Sequence, residues 1–190
     1  MSVQYYCAAS LDGYIAEVDD TIDWLTGYEA VPPGEDVSRV EGGYDDFYAD
    51  VGALVSGSVT YEFILGELER GRRWPYAGKP CWILSSRELP VPADGDGVDV
   101  RIRNAPVAEL FDAMLSSAGE GNLWVVGGGN VASQFADEGL LDEVLVTVVP
   151  VVLGDGKPLF DRRLAGGPMR LVGVFPRASG MVELRYEVRR

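Results

Sequence analysis

Histidine is absent from the 190-residue chain, and cysteine is scarce, with two residues. Without histidine, the chain has neither the Ser-His-Asp and Cys-His arrangements of nucleophilic catalysis nor a histidine general acid or base. Cys7 and Cys81 lie in separate apolar runs, which favours buried reduced thiols over a disulfide and argues against a structural zinc site. Chemistry carried by a bound cofactor is compatible with this composition, because the protein then supplies only orientation.

Basic residues are also few, since 16 lysines and arginines stand against 30 acidic residues, for a net charge of −14. Such a surface repels DNA, RNA and anionic membranes, so we expect neither a nucleic-acid nor a membrane partner. A ligand that carries phosphate must be held by local basic groups, backbone N–H groups and helix N-termini. The chain shows no apolar run near the roughly 20 residues of a membrane span and no basic, apolar leader, which predicts a cytoplasmic protein.

Short apolar runs alternate with helix-like segments through the middle of the chain. Strands are predicted over residues 3–9, 52–57, 80–84, 99–103, 123–126 and 143–152, and a final pair over 169–175 and 181–188. Helices are predicted over residues 58–69, with Ser58 or Thr60 as the cap, over 106–118 and over 131–138. Residues 14–24 are predicted to be a loop or a short strand, and 178–180 a turn. This order predicts an α/β fold in one domain, 1–190: a mixed, mostly parallel sheet flanked by helices, with an antiparallel C-terminal strand pair. The loop 26–43 is predicted to be a lid or an insertion.

Three turns rich in glycine or hydroxyl groups each follow a predicted strand. Residues 123–131 run from a strand through three glycines into a helix, whose first N–H groups favour a phosphate. Residues 57–60 and 84–87 offer hydroxyl groups and a guanidinium group. Each turn alone is equally typical of a plain turn, an N-cap or a solvated loop. Three of them at strand ends predict a ligand site, because open α/β sheets bind ligands there.

The order and spacing of these motifs resemble the dihydrofolate reductase superfamily. The resemblance is strongest to the C-terminal reductase domain of the bifunctional riboflavin-biosynthesis deaminase/reductase and its stand-alone relatives, and it covers nearly the whole chain. Its landmarks are Ala-Ala-Ser-Leu-Asp-Gly-Tyr-Ile-Ala at 8–16, Asp-Trp-Leu at 23–25, and the segments 57–60, 84–86, 127–129, 139–143, 150–156 and 159–160. The resemblance implies a dihydrofolate-reductase-like fold and hydride transfer from a reduced nicotinamide dinucleotide, which is compatible with the absence of histidine.

The resemblance also implies the residues that hold the cofactor. Those near the nicotinamide are Ala8, Ala9 and Ile15. Those on the adenosine side, with any 2′-phosphate, are Gly57, Ser58, Thr60, Leu84, Ser85, Ser86 and Arg87. Those at the pyrophosphate, where this superfamily often has a cis Gly-Gly peptide, are Gly127, Gly128, Gly129, Asn130 and Val131.

Asp12, Asp23 and Trp24 would border the substrate by the same resemblance, and Asp12 and Trp24 are the candidate catalytic residues. Asp12 or a water molecule would supply the proton. Simpler interpretations stand beside these roles. Asp12 precedes Gly13 and suits an ordinary turn, Asp23 suits a loop or a helix cap, and Trp24 suits packing.

The chain departs from its relatives at two places. Ser58 stands where they commonly carry arginine, so NADPH is expected and NADH is also compatible, with Arg72, Arg73 and Arg87 as candidate replacements. The first strand carries Tyr5-Tyr6-Cys7 where the riboflavin-pathway reductases tend to have a basic residue.

These observations predict a reductase that transfers hydride from NADPH or NADH to a small heterocyclic substrate of the pterin or pyrimidine type. The alternative is a non-catalytic nucleotide-binding or sensing module on the same fold. The family resemblance also implies a homodimer formed through the C-terminal strands, and the apolar runs 144–152 and 171–175 are compatible with a covered edge.

Overall fold

The computed structural model describes residues 1–28, 43–93, 97–177 and 180–189. Most of the predicted lid over 26–43, and two residues of the predicted turn at 178–180, lie outside these ranges. Within them the chain forms ten strands and five helices. The strands are β1 (Val3–Ser10), β2 (Tyr14–Ala16), β3 (Val51–Gly57), β4 (Pro80–Leu84), β5 (Asp99–Arg103), β6 (Asn122–Gly127), β7 (Glu143–Val149), β8 (Lys157–Pro158), β9 (Arg170–Pro176) and β10 (Val182–Glu187). The helices are α1 (Asp23–Thr26), α2 (Tyr44–Ala49), α3 (Ser58–Glu69), α4 (Val107–Ala118) and α5 (Gly129–Asp137).

Eight strands form one sheet in the order β5-β4-β3-β6-β1-β7-β10-β9. The first six pair in parallel, whereas β10 lies antiparallel to both β7 and β9. This arrangement confirms the predicted mixed sheet with an antiparallel C-terminal pair. The strands β2 and β8 form a separate two-stranded sheet that the sequence pattern did not indicate.

The central strand β1 supplies side chains to both faces of the sheet, because neighbouring residues in a strand point in opposite directions. Tyr5 belongs to the core cluster that contains Met114 of α4 and Phe135 of α5. Tyr6 belongs to the opposite cluster, which contains Phe47 of α2 and Tyr61 of α3. The helices therefore cover both faces and leave the strand ends as the place for a site.

Three local predictions need correction. Helix α3 begins at Ser58 with Gly57 as its N-cap, and neither Ser58 nor Thr60 caps it through a side chain. Strand β7 ends at Val149, since Pro150 has no N–H to continue the ladder. Helix α1 takes the place of the predicted loop or short strand, because a helix of four residues is too short to show a hydrophobic period in the sequence.

The described ranges contain neither a helix that could cross a membrane nor a cluster of metal ligands. No helix in them is long and apolar enough to cross a membrane. The same residues contain no group of three or more Cys, Asp or Glu side chains placed to hold a metal ion.

Candidate active site

A cavity of about 650 Å³ runs along the carboxyl ends of four parallel strands. Ala8 of β1, Gly57 of β3, Leu84 of β4 and Gly127 of β6 all line it. These ends meet at one edge because the strands are parallel, and this is the edge where open α/β sheets bind ligands. The cavity has the size of a small-molecule or cofactor site.

The glycine turn after β6 forms the middle of the cavity wall. The peptide between Gly127 and Gly128 is cis, as the resemblance implied, and Gly127 has a φ of 150° that favours glycine. A Cβ atom at Gly129 would lie 2.5 Å from the carbonyl oxygen of Pro158, so α5 begins in close contact with β8. The N–H groups of Val131 and Ala132 donate to the Gly128 carbonyl oxygen, whereas those of Gly129 and Asn130 precede any acceptor in the helix. Both residues line the cavity, and such a helix start suits an anionic ligand.

Most of the predicted cofactor residues line this cavity together. They are Ala8, Ile15, Gly57, Ser58, Thr60, Leu84, Gly127, Gly128, Gly129, Asn130 and Val131. Asn130 donates through its Nδ2 to Asp161 Oδ2 at 2.6 Å, and it accepts a hydrogen bond from Gln134. These bonds fix the first turn of α5 beside the glycines.

Other predicted residues are absent from the described lining of the cavity: Ala9, Asp12, Trp24, Ser85, Ser86 and Arg87. Ala9 is buried, and it alternates with Ala8, so it faces the other side of the sheet. The guanidinium group of Arg87 donates two hydrogen bonds to the Glu62 carboxylate, at 2.8 and 2.7 Å. Trp24 lies in α1, whose neighbouring Leu25 lines the cavity instead. Local pattern does not indicate Glu62 as the partner of Arg87, because Glu62 lies 25 residues away on α3.

Asp12 is a structural residue by its contacts. Its carboxylate accepts hydrogen bonds from Ser10 Oγ at 2.6 Å and from the N–H groups of Gly154 at 2.7 Å and Leu153 at 3.2 Å. The Ser10 hydroxyl, followed by these N–H groups, lowers the pKa of Asp12. An ionised carboxylate that accepts three bonds is a poor proton donor, so the geometry favours the turn interpretation.

Both cysteines are free, as the sequence predicted. Burial raises the pKa of the Cys7 thiol to about 12, and it raises that of Cys81 to about 12. Cys7 lines the cavity, so its wall there is a neutral thiol.

Lys157 is a cavity residue that sequence reasoning missed. It lies on β8, which pairs with β2, and its Nζ is 3.4 Å from Asp20 Oδ1. Among the described lining residues it is the one basic side chain, beside the acidic Asp20 and Asp161. Its place beside the Pro158 carbonyl, which contacts Gly129, puts it near the glycine turn.

The other end of the cavity is aromatic and apolar. Its lining includes the aromatic side chains of Tyr6, Tyr76 and Trp124, together with the apolar side chains of Ile22 and Leu25. Tyr6 also lines a second cavity of about 320 Å³, on the side toward β7, β10 and α2. A flat ring suits such walls, because aromatic side chains offer large apolar faces.

Comparison with known proteins places this architecture in a family. The model for the RibD C-terminal domain matches residues 84–182. The uncharacterized protein YwjB of Bacillus subtilis (strain 168) is 35% identical over 181 residues, which cover 95% of this chain and 94% of YwjB.

Solved structures show the same fold. A candidate riboflavin biosynthesis protein from Shewanella sp. PV-4 has a TM-score of 0.79 at 28% identity, with 100% of each chain covered. Dihydrofolate reductase from Enterococcus faecalis, in complex with NADP(H), has a TM-score of 0.58 at 15% identity, covering 100% of this chain and 97% of that one. The dihydrofolate-reductase-like fold is thus confirmed, and the chain belongs to the RibD C-terminal domain family.

Proposed function

We propose that the protein is a reductase that uses NADPH or NADH to reduce a flat heterocyclic substrate of the pterin or pyrimidine type. The observation that carries this proposal is the glycine turn 127–129, which forms the wall of a long cavity between an apolar aromatic end and the strand ends of β3 and β4. Family membership supports it, and the related fold of a dihydrofolate reductase holds NADP(H).

The residues present fit a dinucleotide. At Gly128 the nearest atom to an added Cβ is Ile15 Cδ1 at 3.8 Å, whereas at Gly129 backbone oxygens already lie within contact distance. The backbone is therefore bare on the side of the turn that faces the cavity. There the N–H groups of α5 would hold the pyrophosphate, and Lys157 would add the positive charge that this acidic protein otherwise lacks at the site.

Ala8 and Ile15 would shield the nicotinamide from water, since both are small or apolar and line the cavity between the turn and the aromatic end. A reduced nicotinamide supplies a hydride to an electrophilic carbon of the substrate and leaves oxidised. The neighbouring substrate nitrogen then takes its proton from water, because Asp12, the other candidate donor, is not among the described residues that line the cavity.

The test is a parallel titration of the protein with NADPH and NADH, followed by tryptophan quenching and nicotinamide fluorescence. We expect binding with a dissociation constant of about micromolar order, or roughly −8 kcal/mol. Lys157→Met should weaken binding about fivefold, and the difference should shrink at high salt, because the lost interaction is partly exposed.

Arg70→Met is the matched control, since it removes the same charge from an exposed side chain that pairs with Glu67. It should bind the dinucleotides as the wild type does. A folded wild-type protein that binds neither nucleotide would contradict the proposal. Binding without oxidation of the cofactor by any heterocycle tested would favour the non-catalytic module.

We also propose that two copies associate through the C-terminal strands. The edge strand β9 exposes three apolar side chains, Leu171, Val172 and Val174, at 50%, 46% and 52% of their surface. Exposure of apolar side chains on an unpaired edge strand is unfavourable in water and favours pairing with another chain. Gel filtration with light scattering should give twice the chain mass of 20.6 kDa. A Val174→Lys variant should shift the protein toward the monomer, and a wild-type monomer at all concentrations would remove the proposal.

A further inference from the structure

The second cavity lies beside the aromatic end of the main one, and Tyr6 lines both. Thr147 of β7 stands opposite Ala8 of β1 and also opposite Glu183 of β10. Residues directly opposite each other on neighbouring strands point to the same face of the sheet. Tyr6 points to the same face as Ala8, because it lies two residues before Ala8 in β1. The register thus brings Tyr6, Thr147 and Glu183 to one wall, beside Ala8 at the main cavity.

Glu183 is the anchor of this wall. Its side chain is 1% exposed, and it pairs with Arg177 and Arg185, each at 2.7 Å. Its Oε2 accepts from Arg177 Nη2 and also from the Tyr6 hydroxyl, at 3.3 Å. Two guanidinium groups compensate the buried charge, and a carboxylate can only accept hydrogen bonds.

The Glu183 carboxylate therefore fixes the direction in which the Tyr6 hydroxyl donates its proton. The single proton of this hydroxyl points to Glu183, and the Thr147 hydroxyl bonds the same oxygen, so one lone pair is left to accept from a ligand. Burial raises the pKa of Tyr6, the Thr147 hydroxyl opposes that rise by hydrogen bonding, and the Glu183 charge adds to it. The phenol keeps its proton, and since Tyr6, Thr147 and Glu183 all line the second cavity, the Tyr6 oxygen acts there as an acceptor.

The ring of Tyr6 is held equally firmly. Its centroid lies 4.4 Å from that of Phe47, in an edge contact, and Trp124 Nε1 donates to the Tyr6 carbonyl oxygen at 2.9 Å. Asp45 and Asp46, in the first turn of α2, line the same cavity. Arg177 lines this cavity too, with its guanidinium group paired to Glu183. Beside two carboxylates and the Tyr6 oxygen, a ligand edge that donates hydrogen bonds suits the wall better than one that only accepts them.

We propose that Tyr6 selects the hydrogen-bonding edge of the substrate, by accepting an N–H from a ring nitrogen or an amino group of a flat heterocycle bound across the two cavities. This inference rests on the proposed function for its substrate and names the chemistry that the substrate must present. Tyr6 is then a specificity-determining residue, distinct from the residues that hold the dinucleotide.

The experiment measures a preference between two ligands of matched shape by calorimetry. The probes are 2,4-diaminoquinazoline, which donates N–H groups, and 2,4-dimethoxyquinazoline, which only accepts, each with and without saturating NADPH. We expect the wild type to prefer the diamino compound about tenfold, and Tyr6→Phe to reduce that preference to about twofold, the loss of one hydrogen bond. The affinity for NADPH should stay unchanged in this variant.

Tyr48→Phe is the matched control, because its hydroxyl bonds the Pro75 carbonyl oxygen and Tyr48 is not among the described residues lining either cavity. It should keep the full preference.

The two proposals fail differently. A wild type that binds the diamino compound preferentially but no dinucleotide counts against the proposed function and leaves the Tyr6 inference supported. A wild type that binds NADPH but shows no preference overturns the Tyr6 inference. The same holds if Tyr6→Phe, folded by circular dichroism, keeps the tenfold ratio.

Discussion

Gly129→Ala is expected to weaken NADPH binding by tenfold or more, a loss of about 1.4 kcal/mol for each factor of ten. The added Cβ would lie 2.5 Å from the carbonyl oxygen of Pro158 and 2.8 Å from that of Leu159. Both are backbone atoms, one in β8 and one in the residue after it, so the first turn of α5 or β8 must move. Each of them carries a group that the dinucleotide is proposed to contact.

Fluorescence titration of the variant checks this expectation, with Gly66→Ala as the control. Gly66 lies inside α3, and an added Cβ there meets nothing within 4 Å. The control should bind NADPH as the wild type does. If Gly129→Ala folds and binds with unchanged affinity, the glycine turn is not the pyrophosphate site.

Gly52→Ala is expected to lower the free energy of unfolding by about 3 kcal/mol. At this position in β3, the added Cβ would lie 2.0 Å from the carbonyl oxygen of Ala118 and 2.7 Å from its carbonyl carbon. The end of α4 packs directly on this strand, so the methyl group has no space unless helix and sheet separate. The clash is far from the cavity and should act on stability alone.

Thermal unfolding should show a midpoint about 6 to 12 °C below that of the wild type for Gly52→Ala. Gly66→Ala should instead gain about 0.5–1 kcal/mol, because alanine loses less backbone freedom than glycine inside a helix. An unchanged midpoint for Gly52→Ala would show that α4 lies farther from β3 than described.

The strands of the main sheet were predictable because each is a short apolar run, as in 80–84, or a short alternating run, as in 99–103, bounded by turn residues. Three glycines after such a run also sufficed to place Gly127, Gly128 and Gly129 at the cavity. In both cases the signal lies within a few consecutive residues. Local pattern determines these features directly.

Features that depend on distant partners were not predictable. Arg87 was expected at a phosphate, but Glu62 on another element holds its guanidinium group. Glu183 reads as an outward polar residue of a terminal strand, yet it is buried, because Arg177 and Arg185 compensate its charge. Strand β8 has two residues and no period, so Lys157 gave no signal of its place in the cavity.

The position of β1 at the centre of the sheet has a consequence for how the chain folds. Its two neighbours are β6 and β7, and the first of these contacts, Val3 with Leu123, closes a loop of 120 residues. Until residue 123 has been synthesised, the apolar run Val-Gln-Tyr-Tyr-Cys-Ala has no native partner on either side, and it has both neighbours only once residues beyond Glu143 are present. Contacts between such distant residues form slowly, and an unpaired apolar strand is prone to intermolecular pairing. Completion of the central sheet is therefore expected to be a late step, and the yield of refolded protein should fall as its concentration rises.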